Sequence, residues 1–211
     1  MKLLELFSGT KSISKAFEKK GWETLTVDFN SDLEPDWCVD ILEVTAEMVV
    51  EKYGRPDVIW VSPDCRSYSI AAISHHRTRE ENGNLKGKSD YAIFCDKVNK
   101  HVISLLQELM PKYWFIENPR GGMRKMNFMQ GLPRHTVTYC QYGDTRMKPT
   151  DIWTNHPEPK FKGMCKNGDT CHESAPRGSK TGTQGLKNAK ERGRIPDMLC
   201  VHIAEICMLK G

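Results

Sequence analysis

Short apolar runs alternate with amphipathic stretches along the chain. The apolar runs end at glycine, proline or acidic residues, as buried strands do, and the amphipathic stretches carry apolar residues at helical spacing. Strands are predicted at 2–6, 23–28, 58–61, 113–116, 134–140 and 150–153, and helices at 12–20, 46–53, 91–110 and 196–209. This alternation is typical of an α/β protein.

The first 41 residues have the pattern of a nucleoside-binding site. A glycine turn, FSGT at 7–10, links the first predicted strand to the first helix, the second strand ends at Asp28, and Asp40 follows a further short apolar run. In such chains, ligands bind beyond the carboxyl ends of strands. Backbone N–H groups there bind polar groups, and an acidic side chain can hold ribose hydroxyls. We therefore expect a nucleoside-containing cofactor here.

Cys65 lies in a polar turn directly after the predicted strand 58–61. The turn begins with Ser62, Pro63 and Asp64, and Arg66 follows the cysteine. A thiol at the end of a strand and beside a cation can have a lowered pKa and act as a nucleophile. A purely structural cysteine is the alternative.

Glu117 follows the four large apolar residues of the predicted strand 113–116 and precedes Asn118 and Pro119. A carboxylate in this position needs a polar partner, so it either caps neighbouring backbone or belongs to a site. Its placement after a strand matches that of Cys65. In a parallel sheet both residues would therefore lie at the same edge.

The segment 66–89 is long and polar, as functional lids and disordered loops are. His75 and His76 are adjacent in it, but no cysteine or acidic residue stands near them at metal-ligand spacing. We therefore favour a solvated or phosphate-facing loop.

Charge is distributed unevenly along the chain. The net charge is +4, and residues 119–195 contain 15 of the 31 lysines and arginines but only 6 of the 27 acidic residues. A basic half of this kind suits a polyanionic partner. A solvated basic surface is the alternative.

The eight cysteines are irregularly spaced, and neither a secretory leader nor a stretch of membrane-spanning length is apparent. Free thiols in a cytoplasmic protein, without a membrane partner, are therefore expected. Cys165, Cys171 and His172 cluster in the chain, with Cys140 and His156 as possible fourth groups. Their spacing is not that of a common zinc motif, so the sequence alone assigns no metal site.

Taken together, these residues resemble the motifs of the DNA (cytosine-5)-methyltransferases, in a compact phage or bacterial form. The matching segments occur in order: LELFSGT ending at Thr10, TVDFN at 26–30, VDI at 39–41, VSPDC at 61–65, FIENP at 115–119 and GRIPDMLCVHI at 193–203. The resemblance implies a Rossmann-like, largely parallel sheet with helices on both faces and a small basic C-terminal lobe. It also implies S-adenosylmethionine as cofactor, double-stranded DNA as partner, and the cytoplasm of a bacterial cell or phage-infected host as the location.

The resemblance also implies roles for individual residues. Cys65 would attack C6 of a cytosine flipped out of the duplex, Glu117 would hydrogen-bond N3 of the base with support from Asn118, and Arg146 would lie beside the base. The expected cofactor contacts are Phe7, Ser8, Gly9, Thr10, Asp28, Phe29, Asp40, Ile41, Ser62 and Pro63. The expected DNA contacts are Arg66, Ser67, Arg77, Arg79, Lys148, Arg177 and Lys180.

We expect residues 1–153 to form the catalytic and cofactor-binding domain and residues 154–192 a small DNA-recognition lobe or loop. Residues 193–211 would form a helix that returns to the catalytic domain. The oligomeric state stays open.

Three substitutions depart from the family's pattern. Asp64 replaces the proline before the cysteine, Lys11 replaces the second glycine of the first motif, and Arg194 stands where asparagine is common. Asp64 would raise the pKa of the thiol unless Arg66 counters it. Alternatives therefore stay open: an inert methyltransferase-like DNA-binding protein, the same fold acting on a carboxylated S-adenosylmethionine, an RNA cytosine methyltransferase, or a zinc-binding adaptor.

Overall fold

The computed structural model describes residues 1–173 and 189–208, and its main element is a seven-stranded sheet. The strands in the described residues are β1 Lys2–Leu6, β2 Glu23–Asp28, β3 Trp37–Cys38, β4 Val58–Val61, β5 Arg77–Arg79, β6 Leu85–Gly87, β7 Tyr113–Pro119, β8 Arg134–Thr138 and β9 Pro149–Thr154. The sheet has the order β3-β2-β1-β4-β7-β9-β8, and β5 pairs with β6 in a separate hairpin. Strands β1 to β4 and β7 run parallel, and β9 is antiparallel to β7 and β8.

Helices cover both faces of the sheet, which confirms the predicted α/β class. The helices in the described residues are α1 Ser12–Glu18, α2 Ala46–Tyr53, α3 Ile73–His76, α4 Asp90–Leu109, α5 Ala189–Gly193 and α6 Asp197–Met208. Short 3-10 helices lie at Ser31–Leu33, Ile41–Glu43, Arg66–Tyr68, Gly122–Lys125, Asn127–Met129 and Tyr139–Tyr142.

Alternating residues of the central strands pack into two separate cores. Leu3 and Trp60 face a core shared with α1 and α6, whereas Leu4 and Ile59 face a core shared with α2 and α4. Successive strand side chains point to opposite faces, so a strand buried on both faces is apolar throughout. This explains why the strand segments are continuous apolar runs in the sequence.

Strand β7 is longer than the sequence pattern predicts. Its pairing with β4 stops at Ile116, but pairing with β9 continues to Pro119. Glu117 and Asn118 therefore lie within a strand, instead of in a turn after it. The antiparallel neighbour could not be recognised from the apolar run alone, because β7 becomes polar at this point.

The segment 66–89 folds into a 3-10 helix, α3 and the β5–β6 hairpin, instead of a structureless loop. The buried guanidinium of Arg77 holds these parts together. Its Nε donates to the carbonyl oxygen of Ser67 at 2.8 Å, and its Nη2 pairs with Asp96 of α4 at 2.9 Å. The strand predicted at 134–140 is also shorter, because the chain turns into a 3-10 helix at Tyr139.

Among the described helices, none combines the length and the apolar character needed to cross a membrane.

Glu5 is a buried carboxyl group of β1 that accepts a hydrogen bond from the backbone N–H of Ser14 at 2.9 Å. Burial raises the pKa of Glu5 from 4.5 to about 7, and its hydrogen bonds oppose this only in part. The folded chain therefore binds this proton more tightly than the unfolded chain does. The contribution of Glu5 to stability is fully present below about pH 4.5 and is lost as the pH rises to about 7.

Glu5→Gln should remove this dependence, because glutamine does not titrate. Relative to the wild type, its free energy of unfolding should rise by roughly 2–4 kcal/mol between pH 4.5 and 7.5, measured by urea unfolding. The exposed Glu51→Gln is the matched control and should show a much smaller change. A difference between Glu5→Gln and wild type that is constant with pH would contradict this account of Glu5.

Candidate active site

The loop after β4 and the end of β7 meet at one edge of the sheet. The two strands are parallel neighbours in register. The side-chain amide of Asn118 in β7 donates to the carbonyl oxygen of Pro63 at 3.1 Å. This contact brings the loop that carries Cys65 against the strand that carries Glu117. Asn118 Oδ1 is buried and has no partner among the described residues, so an acceptor is free at this edge.

Glu117 is a carboxyl group buried in this edge. Its Oε1 accepts a hydrogen bond from the hydroxyl of Tyr139 at 2.9 Å. Burial raises the pKa of Glu117, and the charge of Lys148 and the hydrogen bonds of Tyr139 and Ser62 oppose that rise without cancelling it. A carboxyl group of this kind holds its proton more readily near neutral pH and can then donate a hydrogen bond.

Cys65 is a half-buried free thiol at the start of the 3-10 helix 66–68. Burial raises the pKa of Cys65, the negative charges of Glu117 and Asp64 raise it further, and Lys148 lowers it. The prediction of a lowered thiol pKa is therefore wrong for the protein alone. A raised pKa disfavours the thiolate, so a nucleophilic role requires that the thiol proton be removed at the reacting site.

The negative charge of Asp64 raises the pKa of the Cys65 thiol, but two neighbouring side chains bind the Asp64 carboxylate. Its carboxylate accepts hydrogen bonds from the backbone N–H and Nε of Arg66, both at 2.8 Å, and from the hydroxyl of Tyr91 at 2.7 Å. Partial burial would raise the pKa of Asp64, but these hydrogen bonds and the charge of Arg66 lower it overall. Arg66 is thus engaged with Asp64, which explains why it does not lower the pKa of Cys65.

Lys148 approaches Cys65 and Glu117, whereas Arg146 is turned toward Asp144. The Arg146 Nε donates to Asp144 at 2.9 Å, and its Nη1 is directed to backbone carbonyls of α5. The Lys148 ammonium lies 4.4 Å from the centre of the Tyr139 ring. Burial lowers the pKa of Lys148, and the negative charge of Glu117 opposes that shift. Lys148 therefore interacts electrostatically with Cys65 and Glu117, whereas Arg146 is paired with Asp144.

The turn after β1 combines left-handed backbone conformations with a backbone N–H that donates to Asp28. Phe7, Gly9 and Lys11 all have left-handed backbone conformations, with φ of 57°, 48° and 55°. Asp28 at the end of β2 accepts hydrogen bonds from the N–H of Gly9 at 3.1 Å and of Asn30 at 3.0 Å. Left-handed non-glycine residues are uncommon and are often found at functional sites.

The other predicted cofactor contacts differ in exposure and in their hydrogen-bond partners. The Ser8 hydroxyl is buried and has no partner among residues 1–173 and 189–208, and the Phe29 ring is 75% exposed. Asp40 accepts a hydrogen bond from the N–H of Leu42 at 2.9 Å and so begins the 3-10 helix 41–43, in which Ile41 is buried. The remaining contacts have protein partners or are buried: Thr10 bonds to Ser12, Ser62 accepts from Trp60, and Pro63 is buried.

Of the seven predicted DNA contacts, two are exposed, two are buried, Lys148 lies over the Tyr139 ring, and two fall outside the described residues. Arg66 and Arg79 are exposed, and the side chain of Arg66 is 74% accessible. Ser67 and Arg77 are buried against each other, so their predicted contacts with DNA do not fit their positions. Arg177 and Lys180 lie outside the described residues.

Two tyrosines complete the site and were not predicted from the sequence. Tyr139 lay inside an apolar strand pattern and Tyr91 inside an amphipathic helix pattern, so neither had a local signal of a polar role. They reach Glu117 and Asp64 only through the packing of β8 and α4.

The two cations that depart from the family's pattern already have partners in the chain. The Lys11 ammonium donates to the backbone carbonyl of Glu34, and Arg194 pairs with Asp197 at 3.0 Å. A cofactor bearing an added carboxylate would need to displace one of these contacts. The structure therefore gives no support to the alternative in which the cofactor is a carboxylated S-adenosylmethionine.

Comparison with known proteins finds similar methyltransferases, although no protein-family model matches the chain. A protein of Frog virus 3 (isolate Goorha), named "Probable DNA (cytosine-5)-methyltransferase", is 29% identical over 229 residues, covering 98% of this chain and 100% of that protein. The chain is therefore similar, over nearly its whole length, to a protein that is named as a DNA (cytosine-5)-methyltransferase. The Type II methyltransferase M.FnuDI of Fusobacterium nucleatum is 28% identical over 140 residues, which cover 60% of this chain.

A solved methyltransferase has the same fold. The structure of Entamoeba histolytica EhMeth matches with a TM-score of 0.54 and 14% identity over 79% of this chain. The chain spans 57% of EhMeth and 35% of M.FnuDI. It is therefore much shorter than either of these relatives, and of similar extent to the Frog virus 3 protein.

Lys148→Gln should slow alkylation of Cys65 by iodoacetamide several-fold at pH 8, because it removes the cation that lowers the pKa of the thiol. The rate at Cys65 can be separated from the rates at the other cysteines by peptide mass mapping. Lys148→Arg keeps the charge and is the matched control. Equal rates in the wild type and Lys148→Gln would show that Lys148 does not act on the thiol.

Proposed function

We propose that this protein transfers a methyl group from S-adenosylmethionine to C5 of cytosine in double-stranded DNA. The observation that carries the proposal is the convergence of the Cys65 thiol and the buried Glu117 carboxyl group at the edge of β4 and β7. The similarity over the whole Frog virus 3 protein supports the same class of reaction.

The residues after β1 and β2 fit the cofactor. Asp28 has a carboxylate that can accept ribose hydroxyls, Ser8 has a buried hydroxyl without a partner among the described residues, and Phe29 offers an exposed ring for the face of an adenine. S-adenosylmethionine, when bound, would supply an electrophilic methyl group on its sulfonium sulfur. Strand β1 is the direct neighbour of β4, so the turn and Cys65 lie at adjacent strand ends.

Cys65 and Glu117 would act on opposite sides of the cytosine ring system. Once the thiol has lost its proton to solvent water, its sulfur forms a bond to C6. The electron pair of the C5–C6 double bond moves to C5 and is delocalised through C4 to N3. Glu117, in its protonated form, would hydrogen-bond or protonate N3, which stabilises the added electron density. C5 is then nucleophilic enough to take the methyl group, and S-adenosylhomocysteine would leave as the bond between that methyl group and the sulfonium sulfur breaks.

The product is released by the reverse movement of electrons. A solvent water takes the proton on C5, and the electron pair of that C–H bond re-forms the C5–C6 double bond. The bond between C6 and the Cys65 sulfur breaks with its electron pair on sulfur. The nitrogen N3 returns its proton to Glu117, so both residues are regenerated. Lys148 would stabilise the leaving thiolate, since it is the cation that lowers the thiol pKa.

The target base must leave the helix stack before Cys65 can reach C6, which costs a few kcal/mol. Arg66 and Arg79 are exposed on the segment beside Cys65 and could contact phosphates around the extruded nucleotide. Their contacts would offset part of the cost of flipping.

Incubation with S-adenosylmethionine and duplex DNA should convert deoxycytidine to 5-methyldeoxycytidine, measured by mass spectrometry of the digested DNA. Cys65→Ser should abolish the conversion, because a hydroxyl is too weak a nucleophile at C6. Cys207→Ala, which removes a buried thiol of α6, is the matched control and should retain activity.

Parallel reactions with single-stranded DNA and with tRNA distinguish the substrate classes. Methylation of tRNA alone would overturn the DNA substrate but keep the chemistry. Binding of cofactor and DNA without any methylation would favour the inert DNA-binding protein.

Glu117→Gln should reduce the methylation rate by about 10²–10⁴-fold, because the amide cannot deliver a proton to N3. Cofactor binding, measured by calorimetry, should be unchanged. Glu5→Gln alters another buried glutamate and is the matched control, with activity expected near that of the wild type. Equal loss in both variants would point to a general effect of removing buried carboxyl groups.

A further inference from the structure

Three thiols and one imidazole converge beside the candidate active site. Cys140 lies in the 3-10 helix after β8, and Cys165, Cys171 and His172 come from the segment after β9. Their four ligand atoms all lie within 4.8 Å of one another. His156, the other possible ligand considered from the sequence, lies elsewhere, with its ring nitrogen 3.2 Å from the carbonyl oxygen of Ile206.

The distances within this cluster suit one tetrahedral ion. Zinc–sulfur bonds of about 2.3 Å and zinc–nitrogen bonds of about 2.0–2.1 Å place tetrahedral ligands about 3.5–3.8 Å apart. The sulfur of Cys171 is 3.6 Å from that of Cys140, and the Nδ1 of His172 is 3.6 Å from Cys171 and 3.7 Å from Cys165. These three distances match a closed four-ligand site, and the sulfurs of Cys140 and Cys165 lie closer together, at 3.1 Å.

A disulfide does not account for the arrangement. The sulfurs of Cys140 and Cys165 are 3.1 Å apart, well beyond a bond length of about 2.05 Å. A disulfide between Cys140 and Cys165 would also not explain why Cys171 and His172 lie next to them. Hydrogen bonds made by thiols are weak, so they do not explain why three thiols and an imidazole lie together.

The segment that supplies three of the ligands has little apolar core of its own. Within residues 155–173 only His156, Pro159 and Cys165 are buried. The backbone N–H of Cys165 donates to the Thr138 hydroxyl at 3.1 Å, which places the segment against the end of β8. Small segments with few apolar residues commonly depend on a metal or a disulfide for their structure.

We propose that Cys140, Cys165, Cys171 and His172 bind one structural zinc ion. Thiolate and imidazole ligands select zinc over magnesium or calcium, and a single ion with four protein ligands has no open position for a substrate. The ion would join the segment 165–172 to the 3-10 helix 139–142. The first residue of that helix, Tyr139, donates to Glu117, so the zinc ion would hold a polar partner of the active site in place.

This inference does not depend on the proposed methyl transfer, and metal content tests it directly. Protein purified without chelator under reducing conditions should contain about one zinc ion per chain by plasma mass spectrometry. Cys171→Ser should lose most of this zinc. Cys171 is exposed, so the substitution leaves core packing intact. Cys171→His preserves a ligand and should retain zinc, and Cys95→Ser, outside the cluster, should retain it as well.

Replacement of zinc by cobalt gives a readout that needs no variant. Cobalt(II) bound by three thiolates and an imidazole should show the intense visible absorption of a tetrahedral thiolate site. Removal of the metal by chelator should accelerate proteolytic cleavage within residues 155–173 several-fold, and added zinc should reverse this.

The proposal would be overturned if the wild-type protein neither contains nor takes up zinc, or if Cys171→Ser keeps its full zinc content. It would also be overturned if the intact mass of the wild-type protein, measured without reductant, is lower by two hydrogens, because that loss indicates a disulfide. Iron in place of zinc at the same residues would overturn the identity of the metal.

Discussion

The burial of Glu117 is the constraint on which the rest of the candidate active site depends. A carboxyl group at the buried edge of a sheet must hold its proton or be met by polar partners. Tyr139 and Lys148 meet it only because β8 and β9 extend the sheet beyond β7. The negative charge of Glu117 in turn raises the pKa of Cys65, so proton binding at the acid and at the nucleophile is coupled.

The chain compensates locally for the unusual acidic residue before its cysteine. Asp64 would leave an unmatched negative charge beside the thiol, but Arg66 and Tyr91 bind its carboxylate from two directions. The same arrangement, an arginine two residues after an aspartate, recurs at Asp144. Pairs of this kind keep charge balanced within one turn of chain, so they require no support from distant parts of the fold.

In this short chain, the segment 155–173 is held by contacts close to the candidate active site. The segment 155–173 buries few residues and contacts the end of β8, next to the helix that carries Tyr139. In a larger protein, an apolar core could hold such a segment. Here, ligand groups from both sides of the contact gather at one point, and a metal bond between them would constrain the segment and the site together.

The sequence by itself determined the class of fold, the order of the strands along the chain, and the positions of Asp28 and Cys65 at strand ends. It did so because apolar runs and the residues that break them are local signals. Only the tertiary structure decided that the Cys65 thiol has a raised pKa, that Arg77 is buried instead of facing DNA, and that Cys140 meets Cys165. Each of these outcomes depends on groups distant in the chain, whose burial and charge exist only after the sheet has formed.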